Sequence, residues 1–371
     1  MAGNTPLIRI RSLSQALGVD ILGKAEFLNP GGSVKDRVAM KMIDDAEFAN
    51  LLKPGTNSRI FEGTVGSTGI SIATLAAARG YRTTIIMPDD IAAEKVLTLR
   101  ALGADIEQVR PASIVDKKQF VNLAKIRAQD FGRNSRATTS VVVSTNQGTD
   151  TPALHEHVEP RGFFADQFEN MSNFMAHYEG TGPEIWQQTN QSLNAFVSGA
   201  GTGGTIAGVA CYLKERQPTI RIVLSDPEGS GLYNKVKHGV MYDPKESEGR
   251  KRRHQVDTIV EGIGINRLTR NFQQALPVID DAIRVTDEEA VSMSRYLVKH
   301  DGLFLGSSSA CNLVAAVKVA KTLAPFTGKR VVTILCDSGS RHYSKFWNDE
   351  YLKEAGIKTD LSIIDRLVSR A

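Results

Sequence analysis

The stretch SGAGTGGTIAG, from Ser198 to Gly208, follows the apolar run Ala195 to Val197 and leads into the helical stretch Ile206 to Arg216. An apolar strand, a glycine-rich turn and a helix in that order gather backbone N–H groups at a helix N-terminus, which suits a phosphate. Gly199, Gly201 and Gly204 also satisfy GxGxxG, and Asp226, closing the strand Ile222 to Ser225, falls where a ribose-binding acid would stand. This stretch alone leaves open a single-phosphate site, a dinucleotide site and an unliganded tight turn.

The same rhythm recurs along the chain. Arg82 to Met87 precedes a helix over Lys95 to Ala101, Arg59 to Phe61 precedes another glycine-rich turn, and Arg330 to Cys336 forms a late β-branched run. Strands separated by helices predict an α/β fold with mostly parallel sheets flanked by helices, and ligands then collect beyond the carboxyl ends of the strands. At about 150 residues per domain, 371 residues predict two domains. Phe131 to Arg161 reads as a long polar excursion, Tyr242 to Gln255 as a surface connection, and Asp349 to Ala371 as a helical tail.

Composition excludes several function classes. The 45 Lys and Arg against 41 Asp and Glu leave a net charge of only +4, so no bulk field favours nucleic acid. The basic run Arg250 to His254 sits beside Glu246 and Glu248 without aromatics and reads as a solvated loop; a weaker reading has Arg252 or Arg253 attracting an anionic substrate. No apolar run is long enough to span a membrane. The three cysteines Cys211, Cys311 and Cys336 are distant and include no CxxC, which argues against disulfides and a thiolate zinc site and fits a reducing, intracellular compartment. Cys311 and Cys336, like Trp186 and Trp347, read as packing residues. His155 and His157 lack a third ligand, so no metal is expected. The start Met-Ala-Gly-Asn-Thr-Pro reads as folded chain without a charged leader, which leaves a targeting or anchoring segment ahead of it open.

Two more stretches carry chemistry. In Gly31 to Arg37 (GGSVKDR), Lys35 stands beside glycines and Ser33 just before a helix over Arg37 to Glu47. A lysine can form a Schiff base with an aldehyde cofactor and act as a base when burial lowers its pKa, although most lysines are solvated. In Glu62 to Ile70 (EGTVGSTGI), Gly63 to Gly69 read as a second anion cradle before a helix over Ile70 to Ala78, suited to a carboxylate, with an unliganded turn equally open for this stretch alone.

With these motifs in hand, the chain resembles the cysteine synthase and cystathionine β-synthase family of fold-type-II pyridoxal-phosphate enzymes. The resemblance runs from Gly3 to about Lys345 through GNTPLIRI, LGKAEFLNPGGSVKDR, EGTVGSTGI, DQFEN, TGPEIW, SGAGTGGTIAG, VEGIG and DSGSRH, in the family's order. The RKRRHQVDTI segment ahead of VEGIG resembles most the fungal cysteine synthase-like proteins associated with mitochondria. The resemblance implies that Lys35 carries the pyridoxal 5'-phosphate, that Gly201, Thr202, Gly203, Gly204 and Thr205 hold its phosphate, and that Ser308 meets its ring nitrogen. It implies that Thr64, Gly66, Ser67 and Thr68, with Gln167, bind the substrate carboxylate, and that Gly262 lines the substrate side. Ser67 stands where the family has an asparagine that reaches the ring oxygen, and Val65 replaces a hydroxyl. On this reading Asp226 becomes structural.

A neutral hydroxyl at the ring nitrogen favours loss of a β-substituent over transamination, so β-elimination and β-replacement are expected. The leading assignment is O-acetyl-L-serine plus sulfide to L-cysteine. The alternatives are serine or threonine dehydration, cystathionine β-synthase-type activity, and a non-catalytic, cofactor-binding relative with a regulatory role. The resemblance also implies a homodimer, a small domain over 36–165 that closes on substrate, a large domain over 1–35 and 166–348, and mitochondrial location with the cytoplasm as alternative.

Overall fold

The computed structural model describes residues 2–134, 160–243, 258–323 and 328–369. His155, His157, the basic run 250–254 and most of the 131–161 excursion lie outside the described residues.

Ten strands build two sheets: β1 (Leu7–Arg9), β2 (Asp20–Ala25), β3 (Arg59–Gly63), β4 (Arg82–Pro88), β5 (Asp105–Val109), β6 (Gly162–Phe164), β7 (Ala195–Gly199), β8 (Arg221–Pro227), β9 (Asp281–Val285) and β10 (Arg330–Leu335). The larger sheet has the order β1-β2-β10-β7-β8-β9 and the smaller β5-β4-β3-β6. All pairings are parallel except β1 with β2. The smaller sheet falls inside the span expected for the small domain.

Why the central strands are apolar throughout follows from the pleat, which sends successive side chains to opposite faces. Ala195, Val197, Val223, Val331 and Leu335 enter one buried cluster, whereas Phe196, Ile222, Leu224, Val332 and Ile334 enter another on the opposite face. The first cluster packs against the Ser307–Leu323 helix and the second against the Gly204–Arg216 helix. Each fully buried aliphatic or aromatic side chain contributes roughly 1.5–3 kcal/mol relative to exposure.

Several boundaries differ from the sequence expectation; the helices expected from Lys95 and Ile206 begin two residues earlier, at Ala93 and Gly204. The helix expected from Arg37 begins at Lys35 (Lys35–Phe48), and the one expected from Ile70 begins at Ser67 (Ser67–Ala78), because Gly66 at φ 146 turns the chain straight into the helix. The tail is two short helices, Asp349–Glu354 and Ser362–Val368, interrupted after the first by Gly356 at φ 73.

A buried polar network anchors the Lys35–Phe48 helix. Arg37, with a side chain only 4% exposed, donates from Nε to Glu26 Oε2 at 2.7 Å and from NH2 to Glu26 Oε1 at 2.9 Å. It also donates to both oxygens of Glu184 at 2.7 Å. Lys24 Nζ reaches Glu184 Oε2 at 2.6 Å. Burial alone would raise the Glu184 pKa, but Arg37 and Lys24 pull it down from 4.5 to about 2.

Truncating Arg37 leaves Glu26 buried without its partner, so Arg37→Met is expected to lose about 3–5 kcal/mol in denaturant unfolding. Because the Glu184 pKa is lower in the folded chain, its stabilisation is complete above pH 4.5 and is lost as pH falls toward about 2. Unfolding midpoints measured across that window are expected to fall more steeply in the parent than in Glu184→Gln.

Candidate functional site

The glycine-rich turns at the carboxyl ends of β7 and β3 each lead into a helix, Gly204–Arg216 and Ser67–Ala78. A chain of hydrogen bonds joins them. Thr68 Oγ1 donates to Gln167 Oε1 at 2.5 Å, and Asn173 Nδ2 donates both to Gln167 O and to Thr202 Oγ1 at 2.8 Å. Gln167 is thus tied to one turn through its side chain and toward the other through its carbonyl. Thr64 Oγ1 accepts from Gly66 N at 3.2 Å, which shapes the β3 turn from within.

Around the β7 turn the backbone leaves no room for side chains. Gly203 sits at φ 86, and a Cβ there would stand 2.6 Å from Phe272 Cα; one on Gly201 would stand 2.5 Å from Gly262 O. Thr205 Oγ1 lies 3.1 Å from His177 Nε2, and His177 Nδ1 lies 2.9 Å from Thr181 Oγ1. Burial, then the charges of Arg37 and Lys35, hold His177 well below its usual pKa, so a neutral imidazole backs this turn. The buried Asn173 Oδ1 has no hydrogen-bond partner among the described residues.

Lys35 opens its helix beside the end of β10. Ser33 forms an antiparallel bridge with Asp337, and Val34 N donates to Cys336 O at 2.9 Å. Lys35 is half-buried as a residue and makes no ion pair among the described residues. Burial lowers its pKa, an effect partly offset by Cys336 and Asp337. Ser308 stands in the first turn of the Ser307–Leu323 helix, and both it and Lys35 act to lower the pKa of the Cys336 thiol. Burial pushes that thiol up to about 11 and the Cys311 thiol higher still, which suits packing residues rather than thiolates.

The remaining expected residues fall at the same place. Ser67 Oγ accepts from Arg341 NH1 at 3.2 Å, and Arg341 NH2 also donates to Gly31 O, while Val65 points outward at 40% exposure. Gly262, at φ 87, belongs to a loop whose Gly264 N donates to Ala200 O at 2.9 Å, beside the β7 turn. Asp226 accepts from Tyr233 N at 2.7 Å, and burial raises its pKa to about 7; it caps the strand end. Sequence reasoning singled out neither Asn173 and His177, which no motif marks, nor Arg341, although it lies inside DSGSRH.

A glycine cradle at a helix N-terminus and a lysine without an ion pair among the described residues fit a phosphorylated aldehyde cofactor. The family model described as "Pyridoxal-phosphate dependent enzyme" matches residues 1–337. The chain belongs to the pyridoxal-phosphate-dependent enzymes. This pyridoxal-phosphate enzyme is 55% identical over 357 residues to "Cysteine synthase 2" of Schizosaccharomyces pombe, covering 96% of this chain and 85% of that one. It is 51% identical over 350 residues to the "Putative mitochondrial cysteine synthase" of Saccharomyces cerevisiae, covering 94% and 83%. Among solved structures, O-ureido-L-serine synthase superposes with a TM-score of 0.74 at 28% identity, covering 98% of this chain and 97% of that one. Among the described residues no helix is long and apolar enough to cross a membrane.

An added methyl at residue 203 meets backbone as well as a disfavoured φ. Gly203→Ala is expected to distort the β7 turn and to lose cofactor on desalting, read as the visible absorbance retained per protein, while Gly239→Ala, where nothing lies within 4 Å of the added Cβ, retains it.

Proposed function

We propose that this pyridoxal-phosphate enzyme makes L-cysteine from O-acetyl-L-serine and sulfide by β-replacement. The observation that carries the reading is Lys35, half-buried and without an ion pair among the described residues, beside two glycine-rich turns joined through Gln167 and Asn173. Its identity to the cysteine synthases of two yeasts supports the same reaction.

On this reading Gly201, Thr202, Gly203, Gly204 and Thr205 hold the cofactor phosphate with the helix N-terminus behind them. Ser308 offers the ring nitrogen a neutral hydroxyl, and Lys35 holds the aldehyde end. The bound cofactor supplies an electron sink for the carbanion at the substrate Cα. Thr64, Gly66, Ser67, Thr68 and Gln167 receive the substrate carboxylate, and the Gly262 backbone lines the substrate side. Lys35 Nζ then takes the Cα proton. Burial lowers its proton affinity, so more of the amine is neutral and able to act as a base near neutral pH.

We further read residues 36–165 as a small domain that closes over the substrate, residues 1–35 and 166–348 as the large domain, and the chain as a homodimer. The yeast relative's name supports a mitochondrial location. One observation favours keeping serine chemistry as a second reading: the hydroxyl of Ser67, which stands where the family has asparagine, accepts from Arg341 NH1. Product analysis with O-acetyl-L-serine, L-serine and L-threonine separates the two.

The deciding measurement is the visible spectrum of the cofactor-loaded protein beside Lys35→Ala. A band in the parent that is altered in the variant, shifts on adding O-acetyl-L-serine and returns with sulfide as cysteine forms is the expected result. A parent band indifferent to O-acetyl-L-serine overturns the substrate, and unaltered spectra in Lys35→Ala overturn the lysine.

A further inference from the structure

Lys95 belongs to the Ala93–Ala101 helix, beside the smaller sheet, yet its ammonium pairs with Glu261 in the loop just ahead of Gly262. Both ends of that side chain meet the site. The stem lies against Gly66, where a Cβ would stand 2.6 Å from Lys95 Cδ, and the side chain is only 6% exposed. Glu261 is held from the opposite direction: its N donates to Ser307 Oγ at 3.0 Å, and its carboxylate faces His342 Nδ1 at 3.6 Å and Lys345 Nζ at 3.8 Å. The next residue, Gly262, has its carbonyl against Gly201. Although burial works against ionisation, Lys95, His342 and Lys345 hold the Glu261 carboxyl below its usual pKa, so the group is charged.

We propose that Lys95 and Glu261 are a positioning pair that clamps the Gly66–Ser67 turn over the site in the geometry that receives the amino-acid carboxylate. The inference rests on the reading that residues 64–68 bind that carboxylate. A buried ion pair is weak support for stability, because desolvation offsets the attraction, whereas its direction fixes where two elements meet. Here the elements are the turn after β3 and the loop beside the phosphate cradle, which no strand pairing connects. Neither residue touches the reacting atoms in this scheme; the pair acts through Gly66.

The surroundings make the pair testable without unfolding the protein. In Lys95→Met the stem still covers Gly66, and Glu261 keeps His342 and Lys345 as partners. In the cofactor-loaded enzyme, Lys95→Met is expected to raise KM for O-acetyl-L-serine about tenfold, roughly 1.4 kcal/mol, with kcat within about twofold, and Lys95→Arg to restore most of it. Amide hydrogen exchange over 64–70 is expected to quicken in Lys95→Met while that over 199–206 stays at the parent rate. Glu261→Gln is expected to reproduce the exchange pattern. Parent-like KM and exchange in Lys95→Met overturn the clamp, as does exchange that rises equally over both segments. If the parent does not turn over O-acetyl-L-serine, the proposed function fails and the exchange comparison alone decides the clamp.

Discussion

The site depends on how the short segment ahead of Lys35 docks onto the end of β10. The Ser33–Asp337 bridge and the bond from Val34 N to Cys336 O hold one side of it, and Asp36 clips the other by accepting from Gly31 N and Ser71 Oγ. Arg37 then sinks its guanidinium between Glu26 and Glu184. Backbone and flanking side chains on both sides of Lys35 are thereby committed, while the lysine's own amine is left unpaired. A reactive amine needs this division, since an ion pair would keep it protonated and solvent would let it swing.

From that anchor the rest of the geometry follows by short steps. Arg341 bonds both the carbonyl of Gly31 and the hydroxyl of Ser67, so the lysine segment and the β3 turn share a partner. Thr68, Gln167, Asn173 and Thr202 carry the connection on to the β7 turn. Each such bond contributes only about 0.5–1.5 kcal/mol net. Their value is that two glycine-rich turns from different sheets keep a fixed separation, as the proposed binding of a substrate linked to a phosphorylated cofactor requires.

Legibility in the sequence tracked how local the determinants are. The strands β7, β8 and β10 were readable because burial on both faces leaves continuous β-branched and apolar runs, and the turns after β3 and β7 because glycine is needed where Gly66 and Gly203 take positive φ. Helix starts were read two or three residues late at Lys35 and Ser67, since the polar residues that open those helices carry no apolar periodicity. Asn173, His177 and Lys95 were not readable at all. Their meaning comes from Thr202, Thr205 and Gly66, which stand about 28 residues away in chain number in each case, and no spacing rule links them.

The strand order has a consequence for biosynthesis. Ile21 in β2 pairs in register with Val331 in β10, about 310 residues later. With chain elongation at roughly 5–20 residues per second, the antiparallel β1–β2 pair waits some tens of seconds for the strand that joins it to β7. Until β10 emerges, the facing edges of β2 and β7 stay unpaired, so the last strand of the larger sheet to be made is the one that closes its centre.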